Sequence, residues 1–385
     1  MKQVISTEKL PIKLWLDDIE DGALEQAKNI ANLPFAYKWI AIMPDSHQGY
    51  GMPIGGVLAT KGVIIPNAVG VDIGCGMCAY KTHLKTDDIN TELIKTWMKE
   101  IREAIPVGFD HHKEKQDGKL MPSSLGAHMH MVVIKEYDNA LYQIGTLGGG
   151  NHFIEIQKDK DNNIWVMLHS GSRNFGFKVA KYYNSLAIKL NERWFSKVDK
   201  KQELAFLPIE TQEAKDYMFE MQYCVDFALA NRKLMMEWIS GIIGSPIKDM
   251  INIAHNYAKF ENHFGTNVLI HRKGATLASD STIGIIPGSQ GSKSYIVKGL
   301  GNPDSFNSCS HGAGRKMGRK QATRELDLAN EIARLDEQGI IHGIRHQNDL
   351  DEATGAYKDI DIVMANQDDL VSIEVELTPL AVIKG

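Results

Sequence analysis

Asn67–Cys78 reads N-A-V-G-V-D-I-G-C-G-M-C. It sets a carboxylate, Asp72, three residues before a thiol, Cys75, among glycines 70, 74 and 76, with a second thiol at Cys78. Glycine permits the positive-φ turn that lets two metal-capable side chains point at one spot. The flanking runs Val63–Pro66 and Cys78–Thr82 read as strands, so the donors sit at the tip of a strand–turn–strand unit. Asp and Cys alone do not complete a metal site. Histidines from elsewhere must arrive.

Outward from this turn, strand and helix patterns alternate irregularly. Lys13–Leu16 reads as a strand and Leu24–Leu33 as a helix. Ala41–Thr60 reads as a Gly- and Pro-rich loop running into a strand. Asp88–Ala104, opened by an Asp-Asp cap, carries Leu93, Ile94, Trp97, Met98 and Ile101 on one helical face. Phe109–Ser124 reads as a polar loop, and Ile144–Ile156 as strand, glycine turn, strand. Ile164–His169 is a further strand, and Ala180–Val198 and Glu213–Ile239 are long helices. Ser245-Pro246 opens a helix through about Glu261, with Pro at its first position. Strands are expected at Asn267–His271, Thr282–Pro287, Tyr295–Lys298 and Leu370–Leu377, and an amphipathic helix at Arg315–Leu335. Clean βαβ units are missing from this order. It favours one α+β domain over residues 1–385, with mixed or antiparallel sheets and peripheral helices, over a doubly wound sheet.

Composition narrows the class. With 385 residues, 43% hydrophobic and 24% charged, the chain is of ordinary globular make-up. A net charge of −5 gives no overall basic balance, so any polyanion must be held by a local cluster. Four irregularly spaced cysteines and a polar start, Met1-Lys2-Gln3, point to a reducing cytoplasm. No window approaches the ~18 apolar residues of a membrane span.

Three of the fourteen histidines stand out by context. His152 follows the triple glycine 148–150, His169 ends an apolar strand, and His255 lies in A-H-N-Y-A. Any one alone is more simply a structural histidine. With Asp72 and Cys75, however, they make a normal donor set for one or two divalent ions. If Cys75 bridges two ions, each receives three protein ligands and keeps open positions, as catalytic sites do. Softness favours Zn²⁺ here, and Mn²⁺ binds weakest of the series. A different reading is a structural zinc at Cys75 and Cys78 in a non-catalytic RNA-binding module.

His311, in S-H-G-A-G-R, is flanked by small residues and followed by Arg315, Lys316, Arg319 and Lys320. An open neutral imidazole beside cations can attack phosphorus and carry it covalently. Pro287–Lys298, P-G-S-Q-G-S-K-S-Y-I-V-K, offers hydroxyls and glycines to a nucleotide without being a P-loop. Lys115-Gln116-Asp117-Gly118 matches the K-x-D-G pattern of lysine nucleotidyl transferases. Nothing there would bury and deprotonate the lysine, so chance explains the match.

From Pro44 onward the motifs resemble, in order, those of the RtcB family of RNA ligases. They are P-D-S-H-Q-G-Y-G-M-P-I-G-G, V-G-V-D-I-G-C-G-M, G-G-G-N-H-F-I-E, H-S-G-S-R, A-H-N-Y-A, H-R-K-G-A, P-G-S-Q-G-S-K-S-Y, S-H-G-A-G-R and a terminal I-K-G. The resemblance implies GTP- and Mn²⁺-dependent joining of RNA ends bearing a 2′,3′-cyclic phosphate or 3′-phosphate to 5′-hydroxyl ends, in tRNA splicing or RNA repair. It implies one Mn²⁺ on Asp72, Cys75 and His152, a second on Cys75, His169 and His255, and His311 as the residue that takes GMP. Asn151, Phe153, Glu155, Ser289, Ser294, Tyr357 and Lys384 match nucleotide-binding positions, and Arg173, Arg315 and Arg319 match phosphate-facing ones. Asp45 and His47 match the rim of the site, with roles left open. A monomer, with an archease-like activator as partner, is the expected state. Gly318 replaces a more usual small polar residue. A metal-dependent cyclic phosphodiesterase or phosphatase without ligation is the competing reading.

Overall fold

The computed structural model describes residues 1–123 and 132–385. Its core is two sheets. The first has six strands, in the order Gln3–Ile5, Ile12–Leu14, Ala36–His47, Ile54–Thr60, Thr266–Lys273, Asn256–His263. It is mixed, because Ile12–Leu14 runs parallel to Ala36–His47 while the other pairs are antiparallel. The second has seven antiparallel strands, in the order Ile251–Ala254, Gly76–Lys85, Asn163–Ser170, Phe153–Asp159, Val371–Lys384, Ser294–Gly299, Ile283–Ile286. The architecture is α+β, as the irregular order of elements implies.

Alternation along each strand decides what it buries. In the seven-stranded sheet Met77, Ala79 and Met167 face one side with Phe153, Ile285, Ile296 and Leu377. Ile251 and Ile253 from the first strand join that cluster beside Ile285 from the last, so the sheet curls on itself. Cys78, Tyr80, Val166 and Leu168 face the other side, where Trp97 and Met98 of helix Thr91–Ala104 and Met235 and Ile239 of helix Gln212–Ile243 cover them. The six-stranded sheet behaves likewise: Ile40, Ile42 and Leu58 pack on helix Asp21–Ala31, and Ala41, Met43 and Val57 pack on the opposite side.

Several expectations change. Pro44–His47 is not loop but the end of the 12-residue strand Ala36–His47, because its alternating side chains are all buried or half-buried. Ser245–Glu261 is not a helix: it forms strands Ile251–Ala254 and Asn256–His263, whose β-branched and aromatic residues outweigh the Pro signal. Only the second half of Ile144–Ile156 is strand, Phe153–Asp159. Arg315–Leu335 splits into helices Arg319–Glu325 and Leu328–Glu337, the second restarted by an Asp327 cap that accepts from Asn330 N–H. Asn90, not the Asp pair, caps Thr91–Ala104. The loop from Phe109 is confirmed as irregular apart from the turn Gly118–Leu120, and its last residue, Ser124, lies outside the described residues.

Candidate active site

His255 occupies the point where the chain leaves the seven-stranded sheet for the six-stranded one. Its N–H donates to Cys75 O at 2.8 Å, and its own carbonyl accepts from Ala275 N–H at 3.2 Å. Cys75 enters strand Gly76–Lys85, His152 immediately precedes Phe153–Asp159, and His169 is the penultimate residue of Asn163–Ser170. Adjacent strand ends thus deliver the donors to one rim. Gly74 turns the chain at φ +76°. Gly171 is required for another reason: a Cβ there would overlap the Asp72 carboxylate.

The donors form two groups sharing Cys75: Asp72, Cys75 and His152, and Cys75, His169 and His255, with the ligating atoms of each within 4.8 Å of one another. Cys75 Sγ lies 3.4 Å from His152 Nε2 and 3.2 Å from His169 Nε2, and the Nε2 atoms of His169 and His255 are 3.3 Å apart. His152 Nδ1 faces Leu147 O at 3.0 Å, and His169 Nδ1 faces Asn151 O at 3.1 Å. A carbonyl only accepts, so His169 Nδ1 carries the proton; His152 Nδ1 does so by its shorter contact, Arg173 Nη1 standing farther off at 3.3 Å, and both Nε2 lone pairs point into the cluster. Burial, reinforced by neighbouring imidazoles, holds His169 and His255 far below the usual imidazole range, hence neutral. Burial and the nearby Asp72 push the Cys75 thiol up, so its ionisation calls for a cation. The thiol proton can serve one imidazole only, while the Nε2 lone pair of His152 faces Asp72 Oδ2 at 3.2 Å and those of His169 and His255 crowd each other, contacts that call for positive charge between them. The donor set fits divalent metal.

His311 stands beside this cluster, its ring centroid 4.7 Å from that of His255. Asp45, fully buried at the end of strand Ala36–His47, accepts from His311 Nδ1 at 2.6 Å, His311 N–H at 3.0 Å and Gly312 N–H at 3.2 Å, all on Oδ2. The imidazole is therefore protonated at Nδ1 and free at Nε2. One cleft is lined by His311 with Asn151, Phe153, Glu155, Ser289, Arg315, Arg319, Tyr357, Lys384 and His47.

The family model described as tRNA-splicing ligase RtcB matches residues 26–139 and 122–385. The chain belongs to the RtcB family. It is 37% identical over 414 residues to the RNA-splicing ligase RtcB of Escherichia coli K12, covering 100% of this chain and 99% of that protein. It is 31% identical over 462 residues to the tRNA-splicing ligase RtcB of Thermococcus kodakarensis, covering 98% and 95%.

In this RtcB-family chain two expected residues stand outside the cleft. Ser294 is buried behind its wall, accepting from Gln157 Nε2 at 3.1 Å, and Gln157 also donates to Glu155. Arg173 lies at the rim of the donor cluster, donating to Thr146 Oγ1 and Gly108 O. Arg315 and Arg319 are both paired with buried Glu352, at 2.7 and 2.6 Å, and Tyr357 donates its hydroxyl to the same carboxylate. Glu352 carries no motif, so only the fold reveals that it sets these three side chains. Burial raises Glu155 to about 8 against the pull of Lys384 and the Gln157 hydrogen bond. Lys273 is also buried, donating to Tyr50 O and Asn67 O, and so ties the Gln48–Pro53 loop to the start of the metal turn. Burial holds it near 7.

Arg232, in the middle of helix Gln212–Ile243, is fully buried beneath the cluster. It donates to Gly74 O at 2.9 Å and Ser170 O at 2.8 Å, the carbonyls next to Cys75 and His169. Cys78 belongs to neither donor group among the described residues and packs in the core beneath Trp97, which removes the basis for a Cys75/Cys78 zinc. Lys115 is exposed and paired with Asp138 at 2.9 Å, and that hydrogen bond raises its pKa, the opposite of what a nucleophile needs. Gly318 opens helix Arg319–Glu325 without a side-chain cap. No described helix is long and apolar enough to cross a membrane.

Proposed function

We propose that this chain is a GTP-dependent RNA ligase that joins a 2′,3′-cyclic-phosphate or 3′-phosphate end to a 5′-hydroxyl end, in tRNA splicing or RNA repair. The observation that carries the reading is His311, oriented through Nδ1 by Asp45, beside a five-residue donor cluster and in one cleft with Glu155, Ser289 and Lys384. Asp72, Cys75 and His152 would hold one ion and Cys75, His169 and His255 the other, Mn²⁺ in the working enzyme. Bound there, divalent ions neutralise phosphate charge and acidify water.

His311 Nε2 attacks the α-phosphorus of GTP. The N–P bond forms, the bond to the β-phosphate oxygen breaks, and pyrophosphate leaves. The ring gains positive charge, which the Asp45 carboxylate offsets through Nδ1–H. A cyclic end is opened by water to a 3′-phosphate, which takes GMP from His311. The 5′-hydroxyl oxygen then attacks the RNA 3′-phosphorus and expels GMP. Asn151, Phe153, Glu155, Ser289, Tyr357 and Lys384 hold the guanine nucleotide, with Ser294 supporting Glu155 through Gln157. Arg173, Arg315 and Arg319 meet phosphates. The reading extends to one catalytic domain over residues 1–385, a monomer in the cytoplasm served by an archease-like activator; four free buried cysteines accord with a reducing compartment.

The test is ligation of a cyclic-phosphate RNA to a 5′-hydroxyl RNA, with GTP and Mn²⁺ varied independently. Joining that requires both supports the reading. Phosphate release from a 3′-phosphorylated RNA without GTP, and no joining, would move the case to a phosphodiesterase or phosphatase.

A further inference from the structure

Helix Arg173–Arg193 starts at the rim of the donor cluster and runs away from it. Its buried face is apolar, with Phe175, Val179, Ala180, Tyr183 and Ala187 in the core. Its outer face is of a different kind. Phe177, Lys178, Lys181, Tyr182 and Lys189 are all exposed, and at 3.6 residues per turn they share the outer face within an arc of about 140°. Phe177 is 44% exposed and Tyr182 51%, so both rings offer a face to solvent. The Tyr182 ring is held in place edge-on against Tyr183, with centroids 4.9 Å apart.

The charge on this face is of one sign. Residues 173–191 hold Arg173, Lys178, Lys181 and Lys189 and no acidic residue, in a chain whose net charge is −5. Among the described residues none of the three lysines forms an ion pair, whereas Glu192, the first acid of the helix, is paired with Lys200. Unpaired lysines interleaved with exposed aromatic rings are the composition of a single-stranded nucleic-acid surface: cations track phosphates and rings stack bases. An apolar protein partner would not need three unneutralised lysines.

We infer that the outer face of helix Arg173–Arg193 is a track for single-stranded RNA, which leads the strand to the reaction centre past Arg173. Phosphates meet Lys178, Lys181 and Lys189, and unstacked bases lie on Phe177 and Tyr182. This rests on the ligase reading for its substrate class, but not on any step of the chemistry.

The experiment is the binding of a fluorescent, 3′-phosphorylated single-stranded RNA, without GTP, across a salt series. Combined Lys178→Ala, Lys181→Ala and Lys189→Ala should weaken binding on the order of tenfold or more and flatten the log–log salt dependence by about 2, at about 0.7 per lost phosphate contact. Phe177→Ala with Tyr182→Ala should weaken it on the order of tenfold with the salt slope unchanged, and Tyr182→Phe should retain affinity. Labelling of His311 by GTP uses no RNA and should match the parent in all of these variants, showing that they fold. Equal RNA affinity and slope in parent and variants would overturn the track alone. A parent that binds no RNA would overturn it together with the ligase reading. If the lysines instead drive binding to phosphatidylserine vesicles while RNA affinity stays put, the face belongs to a membrane surface and the inference fails.

Discussion

Replacing Asp45 by asparagine keeps the shape of a buried side chain and removes one charge. Its Oδ2 accepts three hydrogen bonds, from His311 Nδ1 at 2.6 Å and from the N–H groups of His311 and Gly312 at 3.0 and 3.2 Å. The two backbone donors are fixed, so an asparagine must turn its oxygen, not its nitrogen, toward them. His311 therefore keeps the same tautomer, unlike a histidine whose sole partner is amidated. What changes is the support for charge: a hydrogen bond to an ionised acceptor is worth ~1.5–3 kcal/mol against ~0.5–1.5 for a neutral one. The loss bears on the transition state, where the ring becomes cationic, so the difference, about 1–1.5 kcal/mol of barrier, is expected, or roughly 5–13-fold in rate. Asp45→Ala instead strands three donors and should also lower the unfolding midpoint. The assay is single-turnover transfer of labelled GMP to the protein at saturating GTP, with bound metal measured in parallel. Asp45 touches no member of the donor cluster, so metal content should not move. Parental rates in Asp45→Asn and Asp45→Ala, or a rate loss that merely follows metal loss, would refute the reasoning.

Three more expectations follow from the same geometry. Arg232→Met strands two buried acceptors, Gly74 O and Ser170 O, and the half-buried Asn252 Oδ1, and should cost about 3–5 kcal/mol in denaturant unfolding and reduce bound metal; an unchanged midpoint would contradict this. Glu155, raised to about 8 by burial, is protonated below that pH in the free protein. Guanine offers N–H donors to the ionised form, so GTP affinity should fall as pH drops below about 8, by up to ~tenfold per unit. Glu155→Gln should flatten that dependence, and a parent with flat affinity would count against the assignment. Lys115→Ala should leave GMP labelling at the parental level, since its ammonium only pairs with Asp138 at the surface.

The sequence carried the donor set further than it carried the path of the chain. Asp72, Cys75 and His152 announce themselves through glycines and strand ends, features that act over a few residues. Ser245-Pro246 is a local start signal and so predicts a helix over His255. Its actual position, between strands of two different sheets, depends on the pairing of its neighbours, Asn256 with Lys273 across a hairpin and Ala254 with Gly76, which is far away in sequence. Asp45 reads as part of a loop, because Pro and Gly on either side hide a strand that only its neighbours define. Glu352 and Arg232 were invisible for a related reason. Each acts through long-range hydrogen bonds, Glu352 to Arg315 and Arg319 and Arg232 to Gly74 and Ser170, and neither spacing nor composition encodes such partners. Cys78 shows the converse: three residues after Cys75, strand alternation alone sends it into the core.

The central claim, that His311 Nε2 takes GMP from GTP, is tested most directly by incubating the protein with α-labelled GTP and Mn²⁺ and following covalent label. The account predicts an acid-labile, alkali-stable adduct that disappears in His311→Ala while that variant still binds metal. Label that persists in His311→Ala would contradict it.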